Sequence, residues 1–64
     1  MKLYQAQNKT WIKLVDDAKA PPGARLTKAR EELFFDHLDG MYSFCKDKEG
    51  NIVHIPAYQE VDIL

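Results

Sequence analysis

Short runs of apolar residues, separated by polar turns, predict a chain that is built mainly of β-strands. Residues 11–15 and 52–55 are rich in aromatic and β-branched side chains, which are favoured in strands. Residues 61–64 are predicted to form a last strand. Because alternate residues of a strand share a face, Val61 and Ile63 are expected to point inward together.

Residues 26–40 allow two interpretations. The first is an α-helix over about residues 27–38, packed on a small antiparallel sheet to give an α+β fold. Thr27 would be the N-cap of this helix, Gly40 would follow its last turn, and several apolar residues would fall on one helical face.

The second interpretation is a β-hairpin in which residues 33–38 pair with residues 41–45. The Asp39-Gly40 dipeptide between them is typical of a two-residue hairpin turn. The alternative helix would have basic residues at its beginning and acidic residues at its end, which opposes the helix dipole, so we favour the hairpin. In a strand, Phe34 and Phe35 point to opposite faces, and one of them then lies outside the main core.

The composition is that of one small folded domain that covers residues 1–64. Apolar residues make up 45% of the chain and charged residues 30%, which argues against disorder. The one cysteine, Cys45, excludes an internal disulfide and fits a reducing compartment. No apolar run has the length of a signal peptide or a membrane span, so we expect a cytoplasmic protein.

Candidate catalytic and metal-binding residues are few. In the hairpin interpretation Cys45, His37 and His54 lie on three successive strands, but they lack the spacings that are typical of zinc ligands. A nucleophilic Cys–His pair would also need an oxyanion hole and a group that orients the histidine. We therefore expect no enzymatic activity, no metal and no cofactor, with a buried cysteine and two half-exposed histidines.

The order of the predicted elements resembles that of the Src-homology-three-like small β-barrel, over about residues 11–64. Residues 11–17 are similar to the first strand of that family and the start of its long loop, and residues 26–35 to its diverging turn and second strand. The strand that ends at Pro56, with Tyr58 beyond it, is similar to the late strand, proline and short helical turn. The resemblance implies a mostly β barrel of five to six strands, in which Pro56 and Tyr58 match groove residues of peptide-binding members.

The function that these features favour is a non-catalytic protein-binding module, acting as an adaptor or an inhibitor. A phage-type accessory protein that docks on a larger assembly is our working hypothesis for its origin. Amphipathic aromatic side chains are enriched at the centres of protein interfaces, and the long loop offers charged neighbours. The predicted contact residues are Trp11, Asp16, Asp17, Arg25, Tyr42, Pro56 and Tyr58.

Nucleic-acid binding is the alternative function. Most of the basic residues lie in the first half of the chain, with aromatic residues nearby that could stack on bases. The formal net charge of −1 gives no basic excess to the chain as a whole. The residues that would contact nucleic acid are Lys13, Lys19, Arg25, Lys28 and Arg30.

A weaker apolar pattern over residues 3–7 predicts a short strand at the edge of the sheet. An exposed edge can pair with the same edge of a second copy. We therefore expect a monomer or a weak homodimer.

Overall fold

The strands predicted from residue 11 onward come together in one antiparallel sheet. The computed structural model describes residues 1–19, 22–23 and 26–64. Within these residues the sheet order is β4-β3-β2-β1-β5, and β4 and β5, at its two ends, are not hydrogen-bonded to each other. The strands are β1 (Thr10–Leu14), β2 (Glu32–Asp39), β3 (Tyr42–Lys46), β4 (Ile52–Val53) and β5 (Val61–Ile63).

The core lies on one face of this sheet, as the alternation of apolar and polar residues predicts. We call it the inner face, and the opposite side the outer face. Most buried apolar side chains come from the strands, but Leu3, Ala18 and Ile55 come from segments between or before them. The residues of the core are Leu3, Ile12, Leu14, Ala18, Leu33, Phe35, Cys45, Val53, Ile55 and Val61.

The middle of the chain is the predicted hairpin, and the alternative helix over residues 27–38 is wrong. β2 pairs with β3, and Phe35 is fully buried while Phe34 is half-buried on the outer face. The turn is Gly40-Met41 instead of the predicted Asp39-Gly40, because Asp39 pairs with Tyr42. Gly40 has a φ of 62°, as the first central residue of a type II′ turn requires.

Residues 3–7 do not form the predicted edge strand. The segment Leu3–Gln5 is a single turn of 3-10 helix, closed by a hydrogen bond from the Gln5 amide to the Lys2 carbonyl. The Gln5 side chain also accepts a hydrogen bond from the Lys2 amide at 2.8 Å. The turn satisfies these backbone groups locally and drives Leu3 into the core, which an edge strand on the surface would not do.

The predicted strand over residues 52–55 ends early, at Val53. The reason is Ser43, a fully buried residue of β3 whose hydroxyl donates to the Ile55 carbonyl at 2.9 Å and accepts from the Ile55 amide at 3.3 Å. A side chain thus replaces the backbone ladder at this position. The Ser43 carbonyl, released from the ladder, accepts a hydrogen bond from Nδ1 of His54 at 2.8 Å.

The last strand agrees with the prediction only in part. Val61 is fully buried, but Ile63 is 45% exposed although it belongs to the same face of the sheet. Ile63 pairs with Ile12 and lies beside Met1, Ala6 and Thr10 in an open depression of about 220 Å³. The core therefore stays uncovered at this corner. No helix within the described residues is long and apolar enough to cross a membrane.

Replacing Ser43 by alanine is expected to lower the free energy of unfolding by about 1–3 kcal/mol, because the buried amide and carbonyl of Ile55 lose their partner. Urea denaturation measures the change. The matched control is Thr27→Val, since the buried Thr27 hydroxyl has no hydrogen-bond partner in the described structure and its removal should be neutral or stabilising. Equal losses in both variants would contradict the role of Ser43.

Cys45 makes stability depend on pH in the alkaline range. Burial raises the pKa of its thiol to about 11, so the folded state keeps the proton that the unfolded chain releases at lower pH. The contribution of the Cys45 thiol to the free energy of unfolding is therefore fully present below pH 9 and is lost between about pH 9 and 11. At ~1.4 kcal/mol per pKa unit, the loss amounts to up to ~3 kcal/mol. When the wild type and Cys45→Ala are denatured with urea over this pH range, the free energy of unfolding should decline more steeply with pH for the wild type. Parallel curves for the two proteins would refute the role of the thiol.

Candidate functional site

The loop that follows β1 faces the turn that precedes β5, and the two enclose an open cleft of about 260 Å³. Residues from the beginning of the chain form its third side. Four residues predicted to contact a protein partner lie in this one cleft, together with one residue of the nucleic-acid alternative. The lining residues are Lys2, Asp16, Asp17, Lys19, Pro56, Tyr58, Gln59 and Glu60.

The loop is held in place by its own core residue. Ala18 is almost fully buried, and its amide donates to the Thr27 carbonyl at 2.8 Å in an isolated β-bridge. Next to it, Oδ1 of Asp17 accepts a hydrogen bond from the Ala29 amide at 2.7 Å. Asp16 and Lys19 flank this anchored pair and remain exposed, so their charges face the cleft from a fixed backbone.

The opposite wall is a tight turn that the N-terminal segment supports. The Gln59 amide donates to the Pro56 carbonyl at 3.0 Å, which closes the turn. Leu3 and Tyr4 then donate their amides to the carbonyls of Gln59 and Ala57, both at 2.9 Å. This arrangement places Tyr58 at the tip of a well-held turn with its ring 58% exposed.

Gln59 ties the two walls together. Its side chain is nearly buried, and Nε2 donates to the carbonyl of Asp16 at 3.1 Å, across 43 positions of sequence. The sequence alone gives no signal for this role, because a glutamine in a polar turn looks like any solvated residue. Its importance appears only once the loop and the turn are brought together.

The charges of the cleft are partly neutralised within the chain. Hydrogen bonds from the amino group of Met1 and from Lys2 hold the pKa of Glu60 below its usual value. Asp16 and Lys19 are left to meet a ligand, while Asp17 also accepts the hydrogen bond from the Ala29 amide. Beside the Lys2–Glu60 ion pair, the cleft thus offers two carboxylates, one ammonium group and an exposed tyrosine ring.

The other predicted contact residues lie apart from this cleft. Tyr42 is half-buried and forms an isolated bridge with Pro56, behind the cleft wall. Trp11 lies on the outer face of the sheet, where it makes an edge-to-face contact with Phe34 at 5.6 Å between ring centroids. Arg25 lies outside the described residues.

The basic residues of the nucleic-acid alternative do not form one patch in the described structure. Lys19 lies in the cleft beside Asp16 and Asp17. Lys13 and Arg30 line a different depression together with Asp62. Lys28 is exposed in the segment that leads to β2. Arg30 also borders an open depression of about 500 Å³ rich in carboxylates, lined by Arg30, Glu31, Glu32, Asp47, Lys48, Glu49 and Asn51.

The outer face carries two parallel rows of side chains that run across the strands. The first, which we call the apolar row, follows the register from Leu64 through Trp11, Phe34 and Lys46 to Ile52. The second, which we call the charged row, lies beside it. Its members are Asp62, Lys13, Glu32 and Lys48.

A ring cluster lies beyond the apolar row. Phe44 stacks on His37 at 5.4 Å between centroids and meets His54 edge to face at 5.5 Å. Cys45, the residue after Phe44, points to the inner face and is fully buried. The cysteine and the two histidines therefore lie on opposite faces of the sheet, and no group of three or more His, Cys, Asp or Glu residues that could hold a metal ion occurs in the described part of the chain.

Comparison of the chain with models of known protein families, with curated proteins and with solved structures gives no significant match. The function is therefore inferred from the geometry of these surfaces.

Gln59→Met is expected to loosen the cleft. The substitution keeps the volume of the side chain but removes the donor to Asp16, so we expect a loss of about 1 kcal/mol in unfolding free energy. Amide chemical shifts in two-dimensional NMR should change at residues 16–19, because the hydrogen bond from Gln59 holds this segment in position. Gln7→Met, at an exposed glutamine, is the control, and the same shifts in both variants would contradict this role.

Proposed function

We propose that this chain is a non-catalytic protein-binding module, an adaptor or inhibitor, that takes a segment of its partner into the cleft. The observation that carries the proposal is the convergence of Asp16, Asp17, Pro56 and Tyr58, which lie far apart in sequence, on one open surface. An exposed aromatic ring on a rigid backbone loses little conformational freedom when it binds, and such rings are enriched at interface hot spots.

The chemistry of the cleft favours a partner segment with a basic and an apolar side chain. On the loop wall Asp16 and Asp17 outweigh Lys19 in charge, whereas Glu60 across the cleft is paired with Lys2 and the amino group of Met1. A positive side chain would be attracted to this wall, and an apolar one would pack on Tyr58. The fully exposed position of the cleft fits a surface contact with a larger protein.

The fold that we propose is a Src-homology-three-like barrel. Support comes from the strand order, in which the first strand lies between the second and the last. Further support comes from the long connection between β1 and β2, with its Ala18–Thr27 bridge, and from the tight turn at Pro56 before β5.

The cellular setting belongs to the same proposal. A buried, unpaired thiol at Cys45 is compatible with the reducing cytoplasm. A phage-type accessory protein of the cytoplasm, which acts by occupying a surface of a larger assembly, is the role that we propose. The nucleic-acid alternative receives less support, since Lys13, Lys19 and Arg30 each lie beside carboxylates.

The test is affinity capture from a lysate of the source cells, with and without nuclease, followed by mass spectrometry and by titration of the purified partner. We expect one stoichiometric protein that survives nuclease. Tyr58→Ala should weaken its binding by about tenfold or more, as the loss of an interface hot spot does. Asp16→Ala should weaken it as well, with a stronger effect at low salt.

Tyr4→Ala is the matched control, because Tyr4 is 56% exposed, as Tyr58 is, but does not line the cleft. The free energies of unfolding of both variants should lie within about 0.5 kcal/mol of the wild-type value, since neither ring is in the core. Equal binding by Tyr4→Ala and Tyr58→Ala would refute the cleft as the site. If the captured proteins are lost after nuclease treatment, the result would favour the nucleic-acid alternative over this proposal.

A further inference from the structure

The outer face exposes more apolar surface than the cleft does. In the apolar row Leu64 is 57% exposed, Ile52 46% and Trp11 40%, and Phe34 is half-buried between them. Leu64, at one end of the row, and its neighbour Trp11 line a shallow depression of about 570 Å³ together with Glu32 and Lys48 of the charged row. Leu64, Trp11 and Phe34 follow one another in the row, and Lys46 separates them from Ile52. An exposed apolar surface with a charged border is typical of an interaction site.

The charged row identifies the kind of partner, because its signs alternate along the sheet. The order is Asp62, Lys13, Glu32, Lys48, as negative, positive, negative and positive. One ion pair lies within the row, with Nζ of Lys48 at 2.8 Å from Oε1 of Glu32. A row that alternates in this way is complementary to its own reversed copy.

We propose that the outer face is the interface of a two-fold symmetric homodimer. The symmetry axis lies parallel to the strands, between β1 and β2. Rotation about this axis places each row against the same row of the second copy in reverse order, which makes the contact isologous. We assign this face to a second copy because a partner surface of uniformly positive or uniformly negative charge would be repelled by half of the charged row.

In the charged row, this symmetry brings opposite charges together at every position. Lys13 faces the partner's Glu32, and Asp62 faces the partner's Lys48. In the apolar row, Trp11 faces the partner's Phe34, so that four rings meet around the axis. Aromatic pairs and alternating charges of this kind give an interface both affinity and a defined register.

The size of the face is sufficient for such a contact. The molecule measures 26 × 24 × 19 Å, and its accessible surface is 4117 Å². A standard interface covers about 800 Å² of each partner, which is roughly a fifth of this surface. The residues of the cleft are different from those of the two rows, so a dimer keeps two clefts free, and two linked clefts bind a multivalent partner more tightly than one.

Sedimentation of the purified chain over concentrations up to ~1 mM tests the proposal without any partner. We expect the mass to rise from that of a monomer to that of a dimer. Lys13→Glu and Glu32→Lys should each weaken self-association by about tenfold or more, because like charges then meet across the axis. An equimolar mixture of the two variants should restore the dimer, since glutamate at 13 in one chain faces lysine at 32 in the other.

Lys28→Glu is the control, since it makes the same change in net charge as Lys13→Glu at an exposed position away from the outer face. Circular dichroism shows whether the variants fold. The wild type supplies a readout that needs no variant, because Trp11 is the only tryptophan and its emission should move to the blue as the dimer forms.

A chain that stays monomeric at all concentrations overturns the proposal. So does a dimer that both charge variants leave intact, or a mixture that remains monomeric. These results bear on the outer face alone and leave the cleft to be judged by partner binding.

Discussion

The two end strands of the five-stranded sheet are not hydrogen-bonded to each other, so the sheet leaves part of the hydrophobic core open, and covering this part is the constraint on which the structure depends. The strands supply most of the buried side chains, but Leu3, Ala18 and Ile55 come from outside them. The described residues contain no further helix or strand that could do this instead. The N-terminal turn, the long loop and the segment before Pro56 are therefore all held against the sheet by a buried residue.

The cleft is a consequence of this closure. Four of its eight lining residues are chain neighbours of the residues that close the core, as Lys2 is of Leu3, Asp17 and Lys19 are of Ala18, and Pro56 is of Ile55. Their backbone is fixed by core packing, and the hydrogen bond from Gln59 to Asp16 sets the distance between the walls. Exposed side chains on a backbone fixed in this way are pre-organised, and less entropy is lost when a partner binds.

Where β3 and β4 separate, side chains replace the backbone ladder. The hydroxyl of Ser43 hydrogen-bonds to both the amide and the carbonyl of Ile55. The carbonyl of Ser43, which is not paired with β4, accepts a hydrogen bond from the ring of His54. The exchange gives partners to both backbone groups of Ile55 and to the Ser43 carbonyl, and it frees the chain to turn at Pro56. The same separation leaves His54 on the outer face beside Phe44, so the buried serine influences both the cleft and the opposite surface.

The sequence by itself determined the elements whose signals are local. The strand of Trp11, the hairpin and the opposite orientations of Phe34 and Phe35 follow from alternation and from the turn tendency of Gly40. Asp16 and Asp17 in the loop, and Pro56 and Tyr58 in the turn, could be selected as contact residues for the same reason. Four of the seven residues predicted to contact a protein thus lie together in the cleft.

Only the tertiary structure decided which of these residues meet. The irregular pairing around Asp36 shifts the hairpin register and moves the turn to Gly40-Met41, and Trp11 lies on the outer face, away from the cleft. Gln59 and Ser43 gained their roles from partners distant in the chain. Burial and register depend on such contacts between distant segments, and the apolar pattern within one segment does not encode them. For this reason Leu3 could be recognised as apolar but not as the side chain that closes the core.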